Sequence, residues 1–384
     1  MATAALAIAV LVLHVILAIM FVFFKLLKPS GPIRIKELWI YPIKSCGGIQ
    51  VESAALLRGG LQWDREFAVI NGDGEVLSQK TYPKLAKIVP TLQVKEVSGQ
   101  PAQPGSAGGI GAVLTGLQLG VTDDKASAVF IDLEKGKHAP CKTVWAGNST
   151  PLEAEVFDVA DEWLTAFMGF PSRLVRLTGR RALRTTRLAP VAHDPQDCCR
   201  YQDGAPLTLL SQASVDQVSK RFSHALPACR FRPNVVVDGC GALDEARWTG
   251  VTVGPAAAEA VHTIGIKILM EAYRCTMVTI AQAAEAPKVD AGSRPQGLKL
   301  TNTMKAFLAR GAETHGPLPR DNPNFAVFAA PEQDSAVLKL GDTLRVTGTI
   351  DGAAKSIFAY HEARGPETFT LGEDRFWTSQ GRKK

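Results

Sequence analysis

Glu271-Ala-Tyr-Arg-Cys-Thr-Met-Val-Thr-Ile280 sets a cysteine beside an arginine at the head of an apolar, β-branched run. Residues 276–280 read as a strand on that composition. Cys275 alone admits two readings. Free cysteine is among the most buried residue types and packs as a small hydrophobe. Arg274 next to it favours the thiolate, the form of cysteine that binds metals or attacks. Residues 261–270 are also strand-like and lead into the cysteine, so a strand end beside a turn is expected here.

Outward from this point the chain reads as short strands and tight turns. Ile33-Arg-Ile-Lys-Glu-Leu-Trp-Ile-Tyr41 alternates apolar and polar residues, the period of a half-buried strand. It ends in Pro42-Ile-Lys-Ser-Cys-Gly-Gly48, where two glycines permit a turn whose backbone approaches a ligand, and Lys44 with Ser45 suits a phosphate. A solvated hairpin turn is the alternative. A Walker A loop is excluded, because the Gly-x-x-x-x-Gly-Lys spacing is missing. Residues 61–70 carry Asp64-Arg65 at their entry, and Asn71-Gly-Asp-Gly74 is a hairpin turn leading to a return over 75–80. Strand-like pieces over 114–121, 127–133 and 142–145 follow a Ser/Gly/Pro-rich surface loop at 98–111. An amphipathic helix is expected over 159–167, stopped by Gly169, and a strand over 173–177.

Residues 178–199 are polar and basic, with Arg180, Arg181, Arg184 and Arg187, and suit a solvated linker or a face toward an anion or a partner protein. Tyr201-Gln-Asp-Gly-Ala-Pro206 is a turn before the apolar strand 207–210. Ser211 or Ser214 then caps a helix reaching residue 222. Arg230-Phe-Arg-Pro-Asn-Val-Val-Val237 introduces a valine strand with Arg-Pro-Asn, which puts Arg232 at a strand end where pockets open. A helix over 300–309, strands over 325–330 and 337–346, and a polar tail over 351–384 complete the reading.

Composition bounds the rest. The chain has 384 residues, 46% of them hydrophobic, enough for two or three domains. Its net charge of +6 is ordinary surface charge, and no basic patch with interleaved aromatics marks a nucleic-acid partner. Seven cysteines at irregular spacings, with no Cys-x-x-Cys, argue against a zinc ribbon or a thioredoxin-type motif and suit a reducing compartment. Residues 1–24 carry no charge, and Lys25, Lys28, Arg34 and Lys36 follow them. That pattern predicts a single-pass transmembrane signal anchor over residues 1–28, with the remainder facing the cytosol. Neither a Gly-x-Gly-x-x-Gly fingerprint nor a haem motif is present, so a redox role requires electrons from another protein.

Lys44, Ser45, Arg65, Arg232, Arg274 and Cys275 share a position at strand ends beside turns. One soft thiolate among several cations suits a metal held by sulfur within an anionic, phosphate-bearing cofactor. The segments Leu38-Trp-Ile-Tyr-Pro-Ile-Lys-Ser45, Asp64-Arg65, Phe231-Arg-Pro-Asn-Val-Val-Val237 with Gly239-Cys240, Arg274-Cys275 and Leu340-Gly-Asp342 occur in the order found in MOSC-domain proteins. The chain resembles that family, and within it the membrane-anchored mitochondrial amidoxime-reducing branch, over roughly residues 33–348.

The resemblance implies an α+β, β-rich chain. It would have an N-terminal transmembrane helix, a MOSC N-terminal β-domain over 33–177, a MOSC β-barrel over 178–350 and a polar tail. It implies a molybdenum cofactor with Cys275 on the metal. Lys44, Ser45, Arg65 and Arg232 would bind the molybdopterin, with Asn234 and Arg274 as neighbours and Asp203 as a catalytic group near the metal. It further implies reduction of small N-hydroxylated compounds, with electrons from a cytochrome b5 and its NADH-dependent reductase. The location would be the outer mitochondrial membrane, with the endoplasmic reticulum as alternative. Gly204 and Ala205 stand where the family often has hydroxyl residues. A carrier role resembling the MOSC portion of cofactor sulfurases is the second function considered.

Overall fold

A computed structural model describes residues 31–350 except 104, 136–138, 145–150, 180, 183–197, 221–224, 257–263, 286–290, 293–323 and 334–335. The first strands are β1 (Ile33–Ile40), β2 (Ile49–Val51), β3 (Ser53–Leu57), β4 (Gly60–Leu61) and β5 (Phe67–Asn71). After them come β6 (Ile88–Lys95), β7 (Val113–Val121), β8 (Asp124–Asp132), β9 (Ala139–Thr143), β10 (Leu152–Val156), helix α1 (Asp161–Met168) and β11 (Ser172–Leu177). The short β12 (Arg181–Ala182) and β13 (Cys198–Cys199) precede β14 (Leu207–Ser211), helix α2 (Gln212–Ser219) and β15 (Val235–Asp238). The chain closes with β16 (Trp248–Gly254), β17 (Ile264–Tyr273), β18 (Asn324–Pro331), β19 (Ala336–Lys339) and β20 (Thr343–Thr349).

The architecture is mostly β, which corrects the α+β expectation. Among the described residues each α-helix is 8 residues long, and the remaining helical pieces are short 3-10 turns. The expected anchor over 1–28 lies outside the described residues. Among those described, no helix is long and apolar enough to cross a membrane. The expected helix at 300–309 and the tail at 351–384 also lie outside them.

The organising element is a closed barrel of seven strands in the order β15-β14-β18-β17-β16-β20-β1, with β2 beside β1. Closure comes from β1, which pairs antiparallel with β15 through Leu38 opposite Val235 and Ile35 opposite Val237. Its apolar side chains, Ile35, Leu38 and Ile40, enter the core. Strands from the start and the end of the described chain therefore share one barrel, and β3 likewise pairs with β19. Every barrel pairing is antiparallel except β14 with β15. Parallel neighbours need a crossover, and α2 supplies it. Ser211 starts that helix as expected, its Oγ accepting the Ser214 N–H at 3.2 Å, although the helix stops at Ser219. The other strands form a four-stranded sheet (β5-β11-β10-β9) and a three-stranded one (β6-β7-β8). Helix α1 ends at Gly169, where the sequence placed its stop, and the glycine caps it in the left-handed region with φ 76°.

The α2 terminus also holds a buried carboxyl. Glu245 accepts from Ser214 Oγ at 2.8 Å and from the Ser211 N–H at 3.1 Å. Burial pushes its pKa up from 4.5 to about 7, against the pull of those hydrogen bonds. A carboxyl with a raised folded pKa binds its proton more tightly when folded. Its stabilising contribution is therefore complete below about pH 4.5 and is lost as pH rises through about 7. Glu245→Gln is expected to remove that slope and gain on the order of 2–3 kcal/mol over wild type at pH 8, but not at pH 4.5. Denaturant unfolding of both proteins at the two pH values checks it, and a constant difference contradicts it.

Candidate functional site

Four strand ends converge on one cleft: the C-terminal ends of β1 and β17 and the N-terminal ends of β14 and β15. Its volume is about 430 Å³, and Lys44, Ser45, Arg65, Asp203, Arg232, Asn234, Arg274 and Cys275 all line it. Every site residue expected from the sequence is thus brought to one place, although the residues come from widely separated segments.

The floor is a network of arginines. Arg65 Nη1 meets both Asp64 carboxylate oxygens at 2.8 and 2.7 Å and Asn234 Oδ1 at 3.2 Å, and its Nη2 donates to the Arg232 carbonyl at 3.1 Å. Asp64 is fully buried, at 0% exposure, and also accepts the Tyr41 N–H at 2.9 Å. Arg232 Nη1 donates to the Cys46 carbonyl at 2.6 Å and to Gln282 Oε1 at 2.9 Å. The Arg65 and Arg232 guanidiniums lie 4.3 and 4.2 Å from the centre of the Tyr41 ring, whose electron-rich face attracts both. Burial, followed by the Arg65 charge, lowers the Arg232 pKa to about 10, so Arg232 remains cationic at neutral pH.

Asn234 fixes the strand entrance: Oδ1 accepts the Thr208 N–H at 3.1 Å and Nδ2 donates to the Trp39 carbonyl at 3.2 Å. At the mouth, Lys44 Nζ meets Asp203 Oδ1 at 2.6 Å and the Tyr201 carbonyl at 2.9 Å. Lys44 is buried and the Asp203 side chain is 55% exposed, so the pair joins the interior to solvent. Arg274 donates through Nε to the Phe325 carbonyl at 2.6 Å and through Nη1 to that of Phe231 at 3.0 Å. Burial lowers its pKa to about 10, with the Cys275 charge opposing.

Ser45, Arg65 and Arg232 have φ of 67°, 49° and 52°. A left-handed non-glycine residue costs roughly 1–2 kcal/mol, and such strain gathers at functional sites. Three of them in one cleft mark it as a place where side-chain direction outranks local comfort.

Two readings are corrected. Residues 276–280 are not a strand: Thr276–Thr279 is a 3-10 turn, with Thr279 Oγ1 donating to the Thr276 carbonyl at 2.7 Å. The strand is β17, and Cys275 follows its end as the cap of that turn, where it lines the cleft. A short apolar, β-branched run cannot by composition separate a strand from a tight turn packed on the core. Gly47 and Gly48, read as leaving room for a ligand, instead leave room for the chain itself. A Cβ on Gly47 would lie 2.8 Å from the Ile88 carbonyl oxygen, and one on Gly48 2.4 Å from the Tyr41 ring. Gly204 has a similar reason: a Cβ there would meet the Phe328 ring at 2.5 Å. The basic residues Arg180, Arg184 and Arg187 lie outside the described residues.

The sequence reading passed over Asp64, Tyr41, Arg230 and Gln282 as site residues. Asp64 and Arg230 stand within two residues of an expected site residue and Tyr41 stands three before Lys44, which is the signal the sequence offers. Gln282 had none.

The donor set fits an anionic cofactor. Ser45 Oγ, Arg230 Nε and Nη1, and Arg274 Nη2 are buried donors without a hydrogen-bond partner among the described residues, and all belong to residues lining the cleft. Buried donors left unpaired are costly, which argues for a ligand rich in acceptors. Cys275 places a thiol among the same residues.

The chain is similar to known proteins along most of its length. Residues 32–171 match the MOSC N-terminal beta barrel domain and residues 197–316 match the MOSC domain. Mitochondrial amidoxime-reducing component 1 of Mus musculus is 25% identical over 323 residues, covering 82% of each chain. The Homo sapiens protein of that name is 25% identical over 332 residues, covering 84% of this chain and 85% of its own. A molybdenum cofactor sulfurase of Oryza sativa is 25% identical over 66% of this chain but only 29% of its own length. Among solved structures, YiiM from Geobacillus stearothermophilus matches over 42% of this chain at 13% identity with a TM-score of 0.25, too low to carry an argument.

Proposed function

We propose that this chain, a member of the MOSC-domain family, is a molybdenum-cofactor-dependent reductase of small N-hydroxylated compounds such as amidoximes and hydroxylamines. The observation that carries the reading is the set of unpaired buried donors around a cleft that also presents Cys275. The relatives named as amidoxime-reducing components, similar over most of this chain, support this class of reaction.

Cys275 would be the protein ligand to molybdenum, with its sulfur as the soft donor. Lys44, Ser45, Arg65 and Arg232 would hold the molybdopterin's phosphate and polar edges, with Asn234 and Arg274 fixing the strand ends around it. When bound, the cofactor supplies two-electron reduction that removes the N-bound oxygen as water. The protein's part is to bind, orient and deliver protons. Asp203 would take the last task, a reading supported by its half-exposed carboxylate and its contact with Lys44 Nζ at 2.6 Å. Electrons would come from a cytochrome b5 served by its NADH-dependent reductase, and a mitochondrial location, after the relatives' names, belongs to the same proposal.

The test is to load the purified protein with its cofactor and follow oxidation of reduced cytochrome b5 with benzamidoxime as acceptor. The expected result is oxidation that requires both benzamidoxime and this protein. A molybdenum-loaded protein inert toward benzamidoxime would reject the reductase reading and favour a carrier role, toward which the similarity to the sulfurase points.

A further inference from the structure

Arg230 is set apart from the arginines already described. It is 1% exposed and lines the cleft, yet Nε and Nη1 have no partner among the described residues. Its Nη2 is bonded to Glu285 Oε2. Glu285 is itself fixed, with Oε1 accepting the Gln282 N–H at 2.7 Å, and Gln282 Oε1 holds Arg232 at 2.9 Å. One turn after Cys275 therefore clamps two arginines, and it leaves one of them with two nitrogens unspent. A guanidinium buried with one carboxylate partner and two idle donors is unfavourable unless an anion completes it. The planar fork of arginine matches two oxygens of a phosphate at once.

We propose that Arg230 is a further buried phosphate contact of this cleft, beside Lys44, Ser45, Arg65 and Arg232, and that Glu285 competes for it, setting how tightly a phosphate monoester is held. The inference rests on the cofactor reading, since the monoester would be the cofactor's own, and it adds a residue and a tuning group to that reading. Free inorganic phosphate offers the same chemistry, so both are probed.

The full chain is made in one host that completes the cofactor and in another that cannot make the pterin. Pterin per chain is measured in the first form. Calorimetric affinity for inorganic phosphate is measured in the second. Glu285→Gln keeps the shape and the Gln282 contact but removes the competing charge; it strands the Arg230 charge as Asp64→Asn would strand Arg65, so phosphate binding is measured well below its melting temperature. It is expected to tighten phosphate binding by about tenfold, the scale of one charge-assisted hydrogen bond. Arg230→Met combined with Glu285→Met removes the pair without stranding a charge. It is expected to melt near wild type while losing phosphate affinity and pterin by about tenfold or more. A structural ion pair predicts the reverse pattern: weaker or unchanged phosphate binding in Glu285→Gln and wild-type pterin in the double variant. Either result overturns the proposal, as does a wild type without measurable phosphate affinity. Should the double variant unfold, the gain expected of Glu285→Gln decides alone. Pterin retained in both variants would sink the role of Arg230 and leave the cofactor reading standing. Phosphate binding that depends on Arg230 in a chain that never carries pterin would do the opposite.

Discussion

Cys275→Ser is expected to fold normally and to lose at least about a hundredfold in reduction of N-hydroxylated substrates. Cys275 caps a 3-10 turn at the cleft, is only partly buried and makes no disulfide, so exchanging sulfur for oxygen leaves the packing intact. The loss falls on chemistry. A hydroxyl is a hard donor that stays protonated at neutral pH, whereas a thiol supplies the soft anionic sulfur that molybdenum requires. Changes one shell beyond a metal commonly cost 10- to 100-fold, and replacing the ligand exceeds that. Equal melting temperatures with a collapsed turnover number would confirm the assignment. Turnover within a few-fold of wild type would remove Cys275 from the metal.

Asp64 carries the largest expected effect on stability. Its carboxylate is fully buried, takes both short bonds from Arg65, accepts the Tyr41 N–H and receives Gln202 Nε2 at 3.3 Å. Removing one member of a buried ion pair leaves the other charge without compensation, which costs about 3–5 kcal/mol. Asp64→Asn keeps the shape but strands the Arg65 charge, and Asp64→Ala also opens a hole. Both are expected to fall within that range, alanine at its upper end, as measured by denaturant unfolding. Functional damage should exceed the stability loss. Arg65 would no longer be held against Tyr41 and Asn234, so cofactor content should drop even under conditions where the variant stays folded. A change below about 1 kcal/mol would mean that the pair contributes little beyond an exposed one.

How far the sequence disclosed this arrangement depended on distance along the chain. Lys44, Ser45, Arg65, Arg232 and Cys275 could be chosen because each stands at a strand end beside a turn, a relation that local pattern carries. The partners that make them a site could not be found that way. Arg65 meets Asn234, and Arg232 meets Gln282, across separations that only the barrel closes. Asp64 and Arg230 fall outside the site expected from the sequence, since nothing in a side chain's identity states that it will be buried and charged. The closing role of β1 was equally hidden. Its alternation marked a strand, but the register that sets Leu38 opposite Val235 is a tertiary fact. The error over residues 276–280 has another origin: four or five apolar residues satisfy a strand and a core-packed 3-10 turn alike. The expected α+β class gave way because the two described α-helices serve as one crossover and one cover on an otherwise β framework.

Molybdenum and pterin content are the quantities that bear most directly on the account. Both are measured on the full chain purified from a host that completes the cofactor, beside Cys275→Ser prepared in parallel. The account predicts molybdenum and pterin equimolar with the wild-type chain, and a fall of molybdenum in the variant while its melting temperature holds. A folded wild-type protein that carries neither metal nor pterin would contradict it.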